Sequence, residues 1–119
     1  MKKNHEESKL QIACVKWFDR NIKPTQAFLY AVPNGGYRKP LEAKIMKAEG
    51  TRAGVSDLVL CVSGGTTVYI EMKDGDKDQL DSQKVFEKKI KDLGFNYYIA
   101  RNKEQFKAIV KYFVVERRF

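Results

Sequence analysis

The sequence is poor in the residues that build metal clusters and cross-links. It holds one histidine, His5, and two well-separated cysteines, Cys14 and Cys61. A Cys/His zinc centre needs about four such ligands, so that class is excluded. Both cysteines sit within apolar patterns, which reads as buried free thiols in a reducing compartment. No apolar run approaches the roughly 20 residues of a membrane span. The stretch Met1-Lys2-Lys3-Asn4-His5-Glu6-Glu7 lacks the apolar core of a secretory signal, so a cytoplasmic location is expected. Repeats, low-complexity segments and linkers are absent, and residues 1–119 read as a single domain.

What is present is a core-forming fraction of apolar residues, 43%, and a surplus of positive charge. The 23 Lys and Arg against 15 Asp and Glu leave a formal +8. That balance favours anionic partners, either nucleic acid or an anionic membrane. Membrane binding is the weaker choice, because no helix joins a strong basic face to exposed bulky apolar residues.

The most informative stretch runs from Asp57 to Lys73. Two β-rich segments flank Ser63-Gly64-Gly65, a hairpin signature. Side chains alternate along a strand. Val68, Ile70 and Met72 therefore take one face, and Tyr69, Glu71 and Lys73 the other. A two-residue turn would set Asp57 opposite Met72. A three-residue connection, or a bulge, sets it opposite Glu71, with Cβ atoms about 4.5–5.5 Å apart. Two carboxylates that close repel unless a proton or cation lies between them. No Lys or Arg on the first strand neutralises them. The longer connection, or a bulge that restores its register, and a divalent cation are expected, and an all-oxygen donor set favours Mg²⁺ or Mn²⁺.

The remaining chain alternates helices and strands. Glu6 to Arg20 has a helical stripe of Leu10, Ala13, Cys14 and Trp17. Glu7 lies on the side of that stripe, with Gln11 four residues on. It serves either the helix dipole or a polar site at the core edge, and Glu6 is close enough to compete. Phe28 to Val32 predicts a short buried strand, ended by Pro33-Asn34-Gly35-Gly36. That segment is a turn, a phosphate cradle, or both. Pro40 and Gly50 bracket a helix with Leu41, Ile45 and Ala48 as its apolar stripe. Around it, Arg38, Lys39, Lys44, Lys47 and Arg52 form a basic region, either solvated or phosphate-contacting. Asp78 is expected to cap a helix reaching Leu93, with Phe86, Ile90 and Leu93 buried and Gln83 facing inward. Phe95 to Ala100 predicts a last strand. A final helix begins at Asn102 or Lys103, with Phe106, Ile109, Val110 and Phe113 inside. The order α-β-α-β-β-α-β-α implies an α/β fold, a mixed central sheet flanked by helices.

Asp57 followed by Glu71-Met72-Lys73 is an Asp-(x13)-Glu-x-Lys pattern. Together with Glu7-Ser8-Lys9-Leu10-Gln11, Pro33-Asn34-Gly35-Gly36, the run Gly50 to Asp57, and Gln83, it resembles the VRR-NUC branch of the PD-(D/E)XK nucleases. Ser56 stands where that family usually has proline. The resemblance implies a restriction-endonuclease-like fold and a metal-dependent DNA nuclease. Asp57, Glu71 and the Met72 carbonyl would ligate Mg²⁺ or Mn²⁺, and Lys73 would position the attacking water. Glu7, favoured over Glu6, would be a further acid, and Gln83 would orient Lys73 or the phosphate. Asn34, Gly35, Gly36, Arg38, Lys39 and Arg52 are the candidate nucleic-acid contacts. The chain has the size of free-standing bacterial or viral members, which look like dimers acting on branched DNA such as Holliday junctions or flaps. The competing expectation is a non-catalytic, basic nucleic-acid-binding domain on the same fold.

Overall fold

Strand alternation and helical periodicity place apolar side chains on both faces of one sheet, and helices cover most of it. The computed structural model describes residues 5–33 and 39–116. The elements are α1 (His5–Asn21), β1 (Ala27–Ala31), α2 (Pro40–Ala48), β2 (Leu58–Val62), β3 (Thr66–Met72), α3 (Asp81–Asp92), β4 (Asn96–Ala100) and α4 (Lys103–Lys111). A π-helical turn, Tyr112–Glu116, follows α4. The sheet order is β1-β2-β3-β4. The first two pairings are antiparallel and β3–β4 is parallel. A parallel pair requires a crossover, which α3 supplies.

One sheet face carries Leu58, Leu60, Val62, Val68, Ile70, Met72 and Ala100. It packs against Cys14 and Phe18 of α1 and against Phe106, Val110, Phe113 and Val114. Trp17 of α1 meets Phe106 edge-on at 6.2 Å, and Lys107 lies over the Trp17 ring. Burial pushes the Cys14 thiol up to about 11, against the opposing pull of Lys103 and Lys107. Cys61 is a free thiol as well, half-buried on β2. On the opposite face, Tyr69 of β3 and Tyr97 of β4 pack on Phe86 of α3, and Phe95 closes on Tyr69. Among the described residues, no helix is long and apolar enough to cross a membrane.

Four expectations need correction. The first strand begins at Ala27, and it is an edge strand with an open outer face. Phe28 is 63% exposed and stacks obliquely on exposed Tyr30. An apolar run alone does not reveal that α3 covers only the β3–β4 half of that face. The α2 helix sits where Pro40 and Gly50 put it, yet none of its residues is buried and Leu41 is 69% exposed. Ile45 of the same stripe is exposed as well. The α3 helix starts at Asp81, and Asp78 does not cap it. Gln83 reaches back instead, its Oε1 accepting the Leu80 N–H at 2.7 Å, the reciprocal half of a capping box. Leu93, at the end of α3, is exposed. The last helix behaves as expected, with Asn102 Oδ1 accepting the Gln105 N–H at 2.8 Å.

Candidate active site

The hairpin sets the geometry. Val62 pairs with Thr66 and Leu58 with Ile70, so the connection is the three-residue Ser63-Gly64-Gly65. Gly64 and Gly65 have φ of 96° and 93°. Two successive left-handed positions favour glycine strongly, and the pair makes this register accessible. Carried one step past Leu58 and Ile70, the register sets Asp57 opposite Glu71. Asp57 O accepts the Val32 N–H at 2.9 Å, extending the β1–β2 ladder to this point. Asp57 Oδ2 accepts the Met72 N–H at 2.7 Å. In an extended strand a residue's N–H and C=O point to the same neighbour. The Met72 carbonyl is therefore directed to the Asp57 side as well.

Glu71 is 1% exposed and Lys73 is buried beside it. The Lys73 ammonium lies 3.8 Å from Glu71 Oε2, an ion pair without a hydrogen bond. Glu71 Oε1 accepts from Gln79 Nε2 at 3.0 Å and from the Tyr97 hydroxyl. Among the described residues, Glu71 Oε2 is the buried side-chain oxygen without a hydrogen-bond partner. Burial, reinforced by the bond to Glu71 and by the charges of Glu71 and Glu87, pushes the Tyr97 phenol far up. It therefore stays protonated and donates.

Further contacts hold this arrangement. Gln79 spends its second N–H on Glu87 Oε1 at 2.9 Å, and Lys91 pairs with the same carboxylate. Partial burial raises the Glu87 pKa, but hydrogen bonds from Lys91 and Gln79 and the Lys91 charge bring it below its ordinary value. Arg101 Nη1 donates to the carbonyls of Gly75 and Lys77, pinning the loop that carries Gln79. At Gly54, φ is +76° and a Cβ would overlap the Ser82 carbonyl group and approach Gln83 N to 2.8 Å. The backbone leading into Asp57 is thereby pressed onto the first turn of α3.

The other expected site residues are placed as follows. Glu7 is half-buried on the α1 face that continues through Gln11 to buried Cys14 and Phe18. Glu6 is exposed and pairs with Lys9 at 3.7 Å, so Glu7 is the inward acid. No group of three or more His, Cys, Asp or Glu side chains gathers to hold a metal among the described residues. Glu7 is accordingly not part of a three-carboxylate cluster with Asp57 and Glu71. Gln83 uses its oxygen to cap α3. Lys39 is exposed, its N–H donating to Glu42 Oε1, and Arg52 donates to the Lys47 carbonyl at 3.4 Å. Asn34, Gly35, Gly36 and Arg38 lie outside the described residues.

Sequence reasoning missed Gln79, Tyr97 and Arg101. Gln79 lies in a polar loop without periodicity. Tyr97 reaches Glu71 only through the β3–β4 register, where Tyr69 pairs with Tyr97 and Glu71 with Ile99. That register depends on the crossover, which no local signal specifies.

No protein-family model matches the chain, and no curated protein does. Among solved structures it is similar to one described as a VRR_NUC domain protein, with a TM-score of 0.73 at 18% identity. That match covers 95% of this chain and 91% of the other. A second structure, described as a VRR_NUC domain, gives 0.65 at 15% identity and covers 92% and 99%.

The tight passage at Gly54 yields a test. Gly54→Ala is expected to lower unfolding free energy by about 2 kcal/mol or more, from backbone strain plus the clash with Ser82. Gly50, at φ 112° but in open space, supplies the control: its alanine variant is expected to lose about 1 kcal/mol. Urea unfolding of both measures the difference, and equal losses would remove the close approach as its cause. The four-stranded mixed sheet with flanking helices is a restriction-endonuclease-like α/β fold, and the chain folds as these VRR_NUC domains do.

Proposed function

We propose that residues 1–119 act as one metal-dependent DNA nuclease domain, hydrolysing phosphodiester bonds at the Asp57–Glu71–Lys73 edge of the hairpin. One observation carries the reading. A buried carboxylate keeps one oxygen without a hydrogen-bond donor, beside a buried ammonium and across from a second acid. A buried ionised oxygen in that state is costly, and a cation would offset the cost. The donors on offer are two carboxylates and the Met72 carbonyl, all oxygen. Such a set suits Mg²⁺ or Mn²⁺, which keep several waters and need only one or two carboxylates. When bound, the ion polarises a phosphodiester oxygen and lowers the pKa of a bound water.

The chain's own residues have distinct tasks in this reading. Asp57, held by the Met72 N–H, and Glu71, through Oε2, hold the cation. Lys73 positions the attacking water and offsets charge that builds on the phosphate oxygens. Glu7 contributes a further acid at the site edge, acting through water. Gln83 orients Lys73 or the phosphate with its Nε2, since its oxygen is committed to Leu80. Lys39 and Arg52, with Asn34, Gly35, Gly36 and Arg38, track the phosphate backbone, where the +8 charge draws DNA in. The names of the two similar structures, VRR_NUC domains, support the nuclease class. Branched DNA is the proposed substrate and a homodimer the proposed state, with exposed Leu41 and Ile45 of α2 available for a second copy to cover.

Labelled duplex, single strand, 5′ flap and four-way junction, incubated with EDTA, Mg²⁺ or Mn²⁺, test the activity. Cutting is expected with either metal, fastest on a branched substrate, and abolished by EDTA. Lys73→Ala is expected to lower the rate by about a hundredfold or more while retaining DNA binding. Binding without cutting on every substrate and in every metal would favour the non-catalytic DNA-binding domain. Sedimentation equilibrium is expected to give a dimer that Leu41→Glu weakens. A monomer at all concentrations would remove the two-copy reading.

A further inference from the structure

The two oxygens of Glu71 are treated differently by the protein. An ionised carboxylate oxygen offers two in-plane lone pairs. On Oε1 both are occupied, one by the Tyr97 hydroxyl and one by Gln79 Nε2. On Oε2 neither is occupied by a hydrogen bond among the described residues. The two donors are themselves fixed. Tyr97 is buried on β4 and its ring packs on Phe86. Gln79 is anchored through Glu87 to Lys91, and its loop is tied by Arg101. A cation that took both oxygens of Glu71 would have to displace one of these donors from a buried site.

We propose that Tyr97 and Gln79 are positioning residues that make Glu71 a one-oxygen ligand, and so select Mg²⁺ and Mn²⁺ against Ca²⁺. The inference rests on the cation site proposed above. Mg²⁺ takes six ligands in near-octahedral geometry and accepts carboxylates one oxygen at a time. Ca²⁺ takes six to eight and commonly uses both oxygens of a carboxylate. A glutamate with one oxygen locked by protein donors meets the first demand and withholds from the second. Neither residue touches the cation, so their effect would appear in which ion binds, beyond how fast any reaction runs. Outer partners of metal ligands commonly change affinity by about ten- to a hundredfold.

The test uses the full chain without DNA. Bound Mn²⁺ is followed by loss of the free-ion electron paramagnetic resonance signal, and Ca²⁺ is titrated in competition. Wild type is expected to bind Mn²⁺ at a site lost in Asp57→Asn, with Ca²⁺ weaker by about tenfold or more. Tyr97→Phe, which removes one oxygen atom, and Gln79→Ala, on a loop, are each expected to weaken Mn²⁺. They should also shift the Ca²⁺-to-Mn²⁺ ratio toward Ca²⁺ by about tenfold, more so together. An unchanged ratio in the folded double variant, with Asp57-dependent Mn²⁺ binding intact, overturns the selection mechanism and leaves the cation site standing. Wild type that binds no Mn²⁺, or binds it independently of Asp57, overturns the cation site and this inference with it.

Discussion

The constraint on which the site depends is the burial of Glu71. A carboxylate at 1% exposure carries a desolvation penalty on the order of several kcal/mol unless its oxygens are satisfied. The fold satisfies one oxygen with two fixed donors and brings a buried ammonium near the other without completing a hydrogen bond. Much of the outer layer serves that arrangement. The aromatic packing of Tyr69, Phe86, Phe95 and Tyr97 seats the phenol that donates to Glu71. The loop after β3, tied down by Arg101, delivers Gln79. Gly54 lets the backbone leading into Asp57 approach α3 without a side chain between them.

The two sheet faces divide the labour. One face, beneath α1 and α4, is apolar from Leu58 to Ala100 and holds β2 and β3 in a single register. A slip of one residue would turn every side chain over. The register that buries Val68, Ile70 and Met72 therefore also presents Glu71 on the other face and sets it across from Asp57. Hydrophobic packing thus fixes the separation of the charged groups, and the Gly64-Gly65 connection is the local feature that permits it.

Much of this was legible in the chain. The hairpin followed from the period-2 pattern, and the three-residue connection, or a bulge in its place, was expected because it pairs Asp57 with Glu71 around a cation; the register has the three-residue connection. Pro40 with Gly50 bounded α2, and Asn102 marked the start of α4. What could not be read was long-range. An apolar stretch looks the same at a sheet edge and at its centre, so Phe28 and Tyr30 were expected inside. The α2 stripe was legible, but not that Leu41 and Ile45 would be left uncovered. Gln79 and Tyr97 act through tertiary register alone. Asp78 was the expected cap of α3, but the helix starts at Asp81, a start that depends on Gln83 reaching back to Leu80.

The most direct measurement is a crystal structure of the chain soaked in Mn²⁺, with the anomalous signal of manganese recorded. The account predicts one anomalous peak between Asp57 and Glu71, in contact with Glu71 Oε2, while Oε1 keeps its bonds to Tyr97 and Gln79. No peak at that position under saturating Mn²⁺, or an ion seated on Oε1 with Tyr97 and Gln79 displaced, would contradict it.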